Sequence, residues 1–544
     1  MPDRVLPEHP DILQYKKQAK ELIRECNLGS AEALTRIRKH LARLPGSSAL
    51  PPAGIRLADA QLVLAREHGY DSWPKFAKHI ETLRIIRSLE TIDDPVNTFI
   101  EVASVDRRGW HSSGTLEHAE LVVARHPATA RANIYAAAIL GDEHTVRAFL
   151  AKDRSFARAR GGPRDWDSLT YLCFSRYLRI DKSRSEPFVA TARALLEAGA
   201  SANTGWTETI DTPPREVPET AIYGAAGLAQ NPELTRLLLE FGADPNDEET
   251  PYHVPETYDN SVLEIILDSG RFNERSLATV IARKCDWHDD KGLALALAHG
   301  ANPNFSTVWK VTPFQHSIRR DNGLIMIEML LDHGADPRLR NNLDGRNAFE
   351  MAAHHGRGDI LALFVRRGFA LDLGGPDGDI DILVAACARG QLDQARSLVS
   401  ENPQLLDRLL AEGGTLLARF SGAANLEGVR CLLDLGVSPS ALWPDGDPYW
   451  GITKDSTALH VAAWRAHHDV VQELIARGTP IHALDAKGRT ALALAVKACV
   501  DSYWQYRRKP DSVAALLTAG AETTGIELPT GYSDIDDLIS GRRE

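Results

Sequence analysis

One pentapeptide recurs along this chain at a spacing that leaves little choice of architecture. Gly-Ala-Asp-Pro-Asn stands at Gly242, with close variants at Gly199, Gly300 and Gly334 and weaker copies at Gly368, Gly436, Gly478 and Gly520. The steps between them are 43, 58, 34, 34, 68, 42 and 42 residues. Two steps are 34 and one is twice that; counting 34 on from Gly368 lands on Asn402, where a copy has lost its glycine. A second landmark, Thr-Pro-Leu-His or a variant of it, precedes the glycines. It is clearest as STALHVAA around Thr457 and recurs at Thr220, Thr312, Asn347, Thr415 and Thr490. Thr457 to Gly478 and Thr415 to Gly436 are both 21 residues, and Thr312 to Gly334 is 22. Two landmarks at a locked offset define a unit too short to bury a core alone, so the units must stack on one another.

Each landmark has a physical reason. The threonine can cap a first helix by accepting from an orphan N–H, and proline at the first turn loses no helical bond. Before the glycine, LTRLLLEFG, IEMLLDHG and VRCLLDLG carry an apolar stripe at helical period. The glycine ends this second helix in a position that favours left-handed φ. The pattern predicts an all-α solenoid of about nine or ten helix-pair repeats from Ala128 to Gly525, with little or no extended sheet.

These residues resemble the ankyrin repeat, whose period is about 33. More narrowly, AQLVLAREHGYDSWPKF, YLCFSRYLR, YHVPETYDN, RKCDWHDDKG and HSIRRDNGL resemble a family of bacterial ankyrin-repeat proteins. The resemblance spans nearly the whole chain and implies the fold; a fold does not imply an activity. Residues 1–90 lack the landmarks. Asp11–Cys26, Ala31–Leu44, Leu57–His68 and Trp73–Leu83 read as helices, with Ser72 as an N-cap and a loop at Pro45–Gly54. This block is expected to cap the open end of the array, which a stacked repeat requires. A linker near Thr91–Pro95 opens a helical connector, residues 91–127, and residues 526–544 read as a polar tail.

Acidic residues outnumber basic ones by 74 to 62, a net charge of −12. That balance, without a long Lys/Arg run, disfavours nucleic acid and anionic membranes as partners. No secretory h-region and no stretch of about 18 apolar residues is present. Six scattered cysteines without a Cys-x-x-Cys pair predict free buried thiols in a reducing cytoplasm.

Departures from the repeat are where function is expected. The regular distance from glycine to the next threonine is 12 residues, as from Gly300 to Thr312. Gly199 to Thr220 and Gly436 to Thr457 are 21, so two outward finger loops carry nine extra residues each. A longer insert, DEETPYHVPETYDN, follows Gly242 and is expected in the same loop register. Trp166, Trp206, Trp309, Trp443 and Trp450 all precede a helix start, joined by Tyr252, Tyr258 and Tyr449. Such residues are frequent binding hot spots; the plainer role is covering their own loops.

Two polar strings sit where the helices of a repeat meet. RKCDWHDDKG brings Trp287 and His288 beside Asp286, Asp289 and Asp290, in a pattern that suits a metal or acid–base work. Histidine at this turn more often bonds the neighbouring turn's backbone, as expected also for His354–His355 and His467–His468. IRRDN supplies Arg319, Arg320 and Asp321 one repeat on, for an inter-repeat ion network or a clamp on an anion. No phosphate loop, Ser-His-Asp order or His-Glu-x-x-His string occurs. The reading is a scaffold binding an unidentified protein or peptide through its fingers and concave face, with no catalytic residue, cofactor or metal. The alternative is a small-ligand or enzymatic site among the long inserts. Candidate binding residues are Trp206, Tyr252, His253, Tyr258, Trp287, His288, Trp309, Arg320, Asp321, Trp443, Tyr449 and Trp450.

Overall fold

The computed structural model describes residues 3–541, apart from 8, 42–54, 56, 90, 91 and 376. The chain is mostly helical and divides into two units, Met1–Thr250 and Pro251–Glu544. The loop expected at Pro45–Gly54 and the linker residue Thr91 lie outside the described residues.

The first unit begins with helices Ile12–Asn27, Ala31–His40, Leu57–Glu67 and Trp73–Ser88. Asp11 and Ser72 cap the first and last of these through their side chains. Ala19, Leu22, Ile37, Val63 and Leu64 form one buried cluster, and Tyr15, Phe76 and Ile80 a second. Buried Glu67 accepts from Arg36 Nε at 2.7 Å and Nη2 at 3.0 Å, which ties the second helix to the third. Helices Pro95–Ala103 and Glu117–Arg125 follow as a pair, and Pro95–Ala103 packs on Ile134–Leu140, the first helix of the next pair. Thr82 donates to Glu117 at 2.5 Å, so the four-helix block meets the connector pair.

Helix pairs then repeat. In the first unit these are Ile134–Leu140 with Glu143–Lys152, Ser168–Cys173 with Ser185–Glu197, and a π-helical turn Tyr223–Leu228 with Pro232–Glu240. In the second unit first helices pack on first helices: Glu274–Asp286, Pro313–Arg319, Ala348–His354, Asp379–Ala388, Gln404–Gly422, Ala458–Trp464 and Ala491–Val500 follow one another. The capping threonines act as their chemistry predicts. Thr312 and Thr457 each accept from the backbone N–H three residues on, and the side chains of Gln315 and His460 reach back. The landmark glycines from Gly199 to Gly520 all have φ between +79° and +107°, a region closed to most side chains.

Three local readings are corrected. Thr415 does not start a helix; it lies inside Gln404–Gly422, which begins eleven residues earlier because QLLDRLL already carries a helical apolar stripe. The insert after Gly242 is not a finger. Its Glu249–His253 is helical and precedes Ser261–Asp268, which closes at Gly270 with φ +64°. The 58-residue step thus hides one more helix pair, and the count among described residues from 134 to 520 is eleven. Its first helix has five residues and no capping threonine, which is why the landmark failed. The tail is not simply polar: Ser533–Ser540 is a helix packed on Asp511–Thr518, with Ile535 buried.

Strand is confined to two-stranded ribbons among the described residues. The first long finger is an antiparallel hairpin, β3 (Gly205–Asp211) with β4 (Pro214–Thr220), registered from Gly205 opposite Thr220 to Asp211 opposite Pro214. It follows the short ribbon β1 (Arg160–Gly161) with β2 (Trp166–Asp167). The second finger pairs β5 (Leu442–Trp443) with β6 (Ser456–Thr457) and is pinched by a bridge between Asp447 and Ile452. All six cysteines are free and buried. No described helix is long and apolar enough to cross a membrane.

Candidate functional site

The site of the second unit is built on the turns that join first to second helices. Each turn has one left-handed residue: His288, Asp321, Gly356, Gly390, Ala424 and Ala466 have φ between +51° and +70°. At three of these turns the residue after it reaches back one repeat. Asn322 donates to the Cys285 carbonyl at 2.9 Å, Asn425 to the Ala388 carbonyl at 2.7 Å, and His467 Nε2 lies 2.8 Å from the Gly422 carbonyl. The turns are thereby stitched into a row, and the residues on either side of each left-handed position share one face.

Asp286 is the electrostatic centre of that face. Its carboxylate accepts from His316 Nε2 at 2.8 Å and Arg320 Nε at 2.6 Å, and it pairs with Arg283. Burial alone would push its carboxyl up; the His316 bond and the two guanidinium charges instead hold it well below the carboxylate range. Arg283 also pairs with Glu256, whose other oxygen lies 2.8 Å from His253 Nδ1. Arg283 sits 4.1 Å from the ring centroid of Tyr252, and Trp309 stacks on His316 at 5.3 Å. The neighbouring Asp289 caps helix Asp290–Ala298 and accepts from buried Lys284 at 2.8 Å. In the RKCDWHDDKG string Asp286 and Asp289 are therefore already bonded to cations, an arrangement that orders the turns.

The second finger arches over this face. Tyr449 Oη donates to the Asp286 carbonyl at 2.9 Å, and Arg320 lies 3.5 Å from the Tyr449 ring centroid. Trp450 rests on Arg465 at 4.5 Å, packs 5.1 Å from Trp504, and accepts at its carbonyl from Trp464 Nε1 at 2.6 Å. Trp443 is buried with Ala418, Ile452 and Val461 beneath the finger. Asp321 accepts from Arg465 at 2.5 Å. His288, with one ring nitrogen 3.1 Å from Asn322, lies 5.8 Å from both Trp450 and Tyr503. Burial pushes its pKa down to about 4. Under the finger is a cavity of about 280 Å³.

Outside the finger, aromatics continue. Tyr258 donates to the Trp287 carbonyl at 2.9 Å and meets the Trp287 ring edge-on at 5.6 Å. Tyr503 packs against Trp504 and Tyr506 at 4.9 and 5.9 Å. Eleven of the twelve candidate residues thus lie in the second unit, around one row of turns.

Trp206 lies apart, in the first unit. On β3 it stacks on Trp166 at 5.2 Å and meets Phe174 and His111 edge-on. Beside it is an open pocket of about 660 Å³, with Arg107, Arg108, Arg160 and Arg164 on its wall. His111, Glu208 and Glu219 bring potential ligand atoms within 4.8 Å of one another, as do His354, Asp377 and Asp381. Arg346 already pairs with Asp377 in the second group.

Sequence reasoning passed over Arg346, Arg419, Arg465, Tyr503 and Trp504. Arg465 and Arg419 sit inside landmark strings, STALHVAAWRAHH and GTLLARF, where the consensus drew attention to the cap instead. For Arg465 the signal was position: like Arg320 before Asp321, it stands just before a left-handed residue, Ala466.

An ankyrin-repeat family model matches residues 454–486, the stretch containing Thr457 and Gly478. Among solved structures, the ankyrin repeat domain of Bcl-3, described as a unique member of the IkappaB protein family, is 18% identical. The match covers 44% of this chain and 97% of that one, with a TM-score of 0.18. The human ASB11 ankyrin repeat domain is 21% identical over 44% of this chain and 98% of that one, with a TM-score of 0.20. None of the curated proteins matches this chain.

Proposed function

We propose that this chain, which carries an ankyrin repeat, is a binding scaffold that recognises a partner protein or peptide through the aromatic face of its second unit. One observation carries the reading. Tyr258, Tyr449, Tyr503 and Tyr506 are 58%, 39%, 49% and 71% exposed, yet each packs on a neighbouring ring of the same cluster. Tyrosines held by a rigid base lose little rotamer freedom on binding and bring both apolar area and a hydroxyl. Ankyrin repeats generally serve as protein-interaction modules, which supports the same reading.

The helix pairs are read as repeats of one kind, residues 1–90 as a cap, 91–127 as its connector, and the chain as a cytoplasmic member of a bacterial ankyrin-repeat family. The six buried free thiols are consistent with a reducing compartment.

The test is affinity capture from native lysate with the wild-type chain and a Tyr503→Ala/Tyr506→Ala variant. The expected result is a defined protein retained by the wild type and lost from the variant, whose melting temperature is unchanged. Equal recovery by both would remove this face from the reading. A second reading, a small-ligand site, is favoured by the cavity beneath the finger.

A further inference from the structure

The cavity beneath the second finger holds more positive charge than its own carboxylates answer. Its wall carries five arginines, Arg319, Arg320, Arg346, Arg419 and Arg465, against three aspartates, Asp321, Asp344 and Asp447. Three of the arginines have direct partners: Arg320 bonds Asp286, Arg346 bonds Asp344 at 3.0 Å and also Asp377, and Arg465 bonds Asp321 at 2.5 Å. Arg319 and Arg419 have no hydrogen-bonded carboxylate among the described residues. The Arg419 guanidinium faces the Trp443 ring at 5.8 Å, and Asp447 acts on both arginines only through space. Two further donors on the same wall, Arg346 Nε and Arg465 Nε, are buried without an acceptor.

Such an arrangement is unfavourable on its own. Burial and mutual repulsion both disfavour the charged forms of Arg319 and Arg419. The same field reaches the histidine on the floor: burial first, then Arg419 and Arg319, push His355 well below its ordinary value. Native proteins rarely leave buried guanidinium donors unmet, and planar N–H forks match tetrahedral oxyanions. The finger over the cavity is itself held down, by Tyr449 on Asp286 and Trp450 on Arg465, so the arginines line a fixed frame. Trp443, Trp450 and Met351 supply an apolar side to the same space.

We propose that this cavity binds a compact phosphoryl anion, its oxygens held between Arg319 and Arg419 and any uncharged portion lying against Trp450. The size suits a small phosphate ester or a diphosphate and is below the range usual for larger ligands, about 300–1,000 Å³. The inference does not rest on partner binding by the tyrosine face; Tyr449 enters it only by holding the finger down.

The test uses the full chain with inorganic phosphate, pyrophosphate, adenosine monophosphate and citrate, each against sodium chloride of matched ionic strength. Binding is read by calorimetry, melting temperature and tryptophan fluorescence. Pyrophosphate or the phosphate monoester should raise the melting temperature by several degrees. Phosphate and pyrophosphate acting alone indicate an inorganic ligand, and a stronger response to the monoester an organic one; both support the proposal. Arg319→Gln and Arg419→Gln should each weaken binding at least tenfold. Without ligand they should melt at or above the wild-type temperature, because repulsion is relieved, whereas a purely structural arginine would melt lower when removed. Arg419→Lys, which keeps the charge and loses the fork, should bind with intermediate affinity. The proposal is overturned if no phosphoryl anion acts on the wild type beyond chloride, if citrate acts as strongly as pyrophosphate, or if both glutamine variants bind unchanged.

Discussion

The hydroxyl of Tyr449 donates a 2.9 Å hydrogen bond to the main-chain carbonyl of Asp286, 163 residues earlier in the chain. Nearest-neighbour stacking cannot supply so long a link. It exists because nine extra residues let one finger reach back across several turns, and it sets the finger over the row of turns as one wall of a cavity.

Removing that bond should loosen the finger without unfolding the repeats. Tyr449→Phe keeps the ring on Arg320 and removes only the hydroxyl, at a cost of about 1 kcal/mol. Hydrogen exchange should rise in residues 444–454 and stay unchanged in helix Gln404–Gly422. Exchange that rises equally in both would show that the finger and the repeats open as one.

Asp286→Asn should be far more costly. It leaves His316, Arg283 and Arg320 around a neutral group, and breaking a buried charge cluster typically costs about 3–5 kcal/mol. The folded carboxyl is depressed, so its stabilisation is full above the unfolded value, about 3.9, and is lost as pH falls below it. The variant should therefore be less stable at pH 7 and show a shallower loss in acid, as measured by urea unfolding across that range. A variant within about 1 kcal/mol of wild type at pH 7 would mean that the cluster is worth no more than a surface pair.

His288 predicts a second, milder pH effect. Its pKa falls to about 4 in the folded chain, from burial first and then the Arg465 charge against the opposing Asp321. Below about pH 6.5 the unfolded chain takes a proton that the folded chain refuses, so stability declines until about pH 4. The contribution is at most about 3 kcal/mol, and burial lowers His355 and His467 in the same direction. His288→Gln should flatten the slope of melting temperature against pH between 6.5 and 4.5. An unchanged slope would assign the acid sensitivity to the other histidines that burial lowers, among them His316, His355, His460 and His467.

What was legible in the sequence follows physical range. Thr312, Thr457 and the glycines act through bonds within a few residues, so their spacing revealed the repeats. The pair Glu249–His253 and Ser261–Asp268 escaped because its short first helix is started by Asp247, whose side chain accepts from the Thr250 N–H at 2.7 Å, and not by a threonine. Asp286, Tyr449 and Trp450 were each visible as unusual residues, but nothing local shows that they meet. Arg419 was invisible as a site residue because its role depends on a finger that starts more than twenty positions later.

Trp206→Ala tests the first unit. The ring stacks on Trp166 and meets Phe174 and His111, while its indole Nε1 is buried without an acceptor. Truncation therefore removes packing and sacrifices no hydrogen bond. A half-buried tryptophan in such a stack should cost about 2–3 kcal/mol, less than the 3–5 of a full core site. Circular dichroism during urea unfolding measures it. A loss below about 0.5 kcal/mol, together with weaker binding of a captured partner, would make Trp206 a contact residue instead.

Gly414→Ala tests whether finger closure depends on the helix beneath it. A Cβ at Gly414 would sit 2.1 Å from the Leu442 carbonyl oxygen, on the backbone of β5. Backbone cannot rotate away as a side chain can, so strand and helix must separate. The helix itself gains, because alanine is favoured over glycine in a helix by about 1 kcal/mol. The two effects oppose each other in overall stability and separate in location. Helix Gln404–Gly422 should remain protected from exchange, whereas residues 442–457 should lose protection and Trp443 should become accessible to quenchers. Gly436→Ala is the matched control: its Cβ meets nothing within 4 Å, but φ is +99°, so it should lower stability by about 1 kcal/mol and leave the finger closed. If Gly414→Ala behaves as Gly436→Ala does, the finger is held by Tyr449 and Trp450 alone, and its contact with the helix contributes nothing to closure.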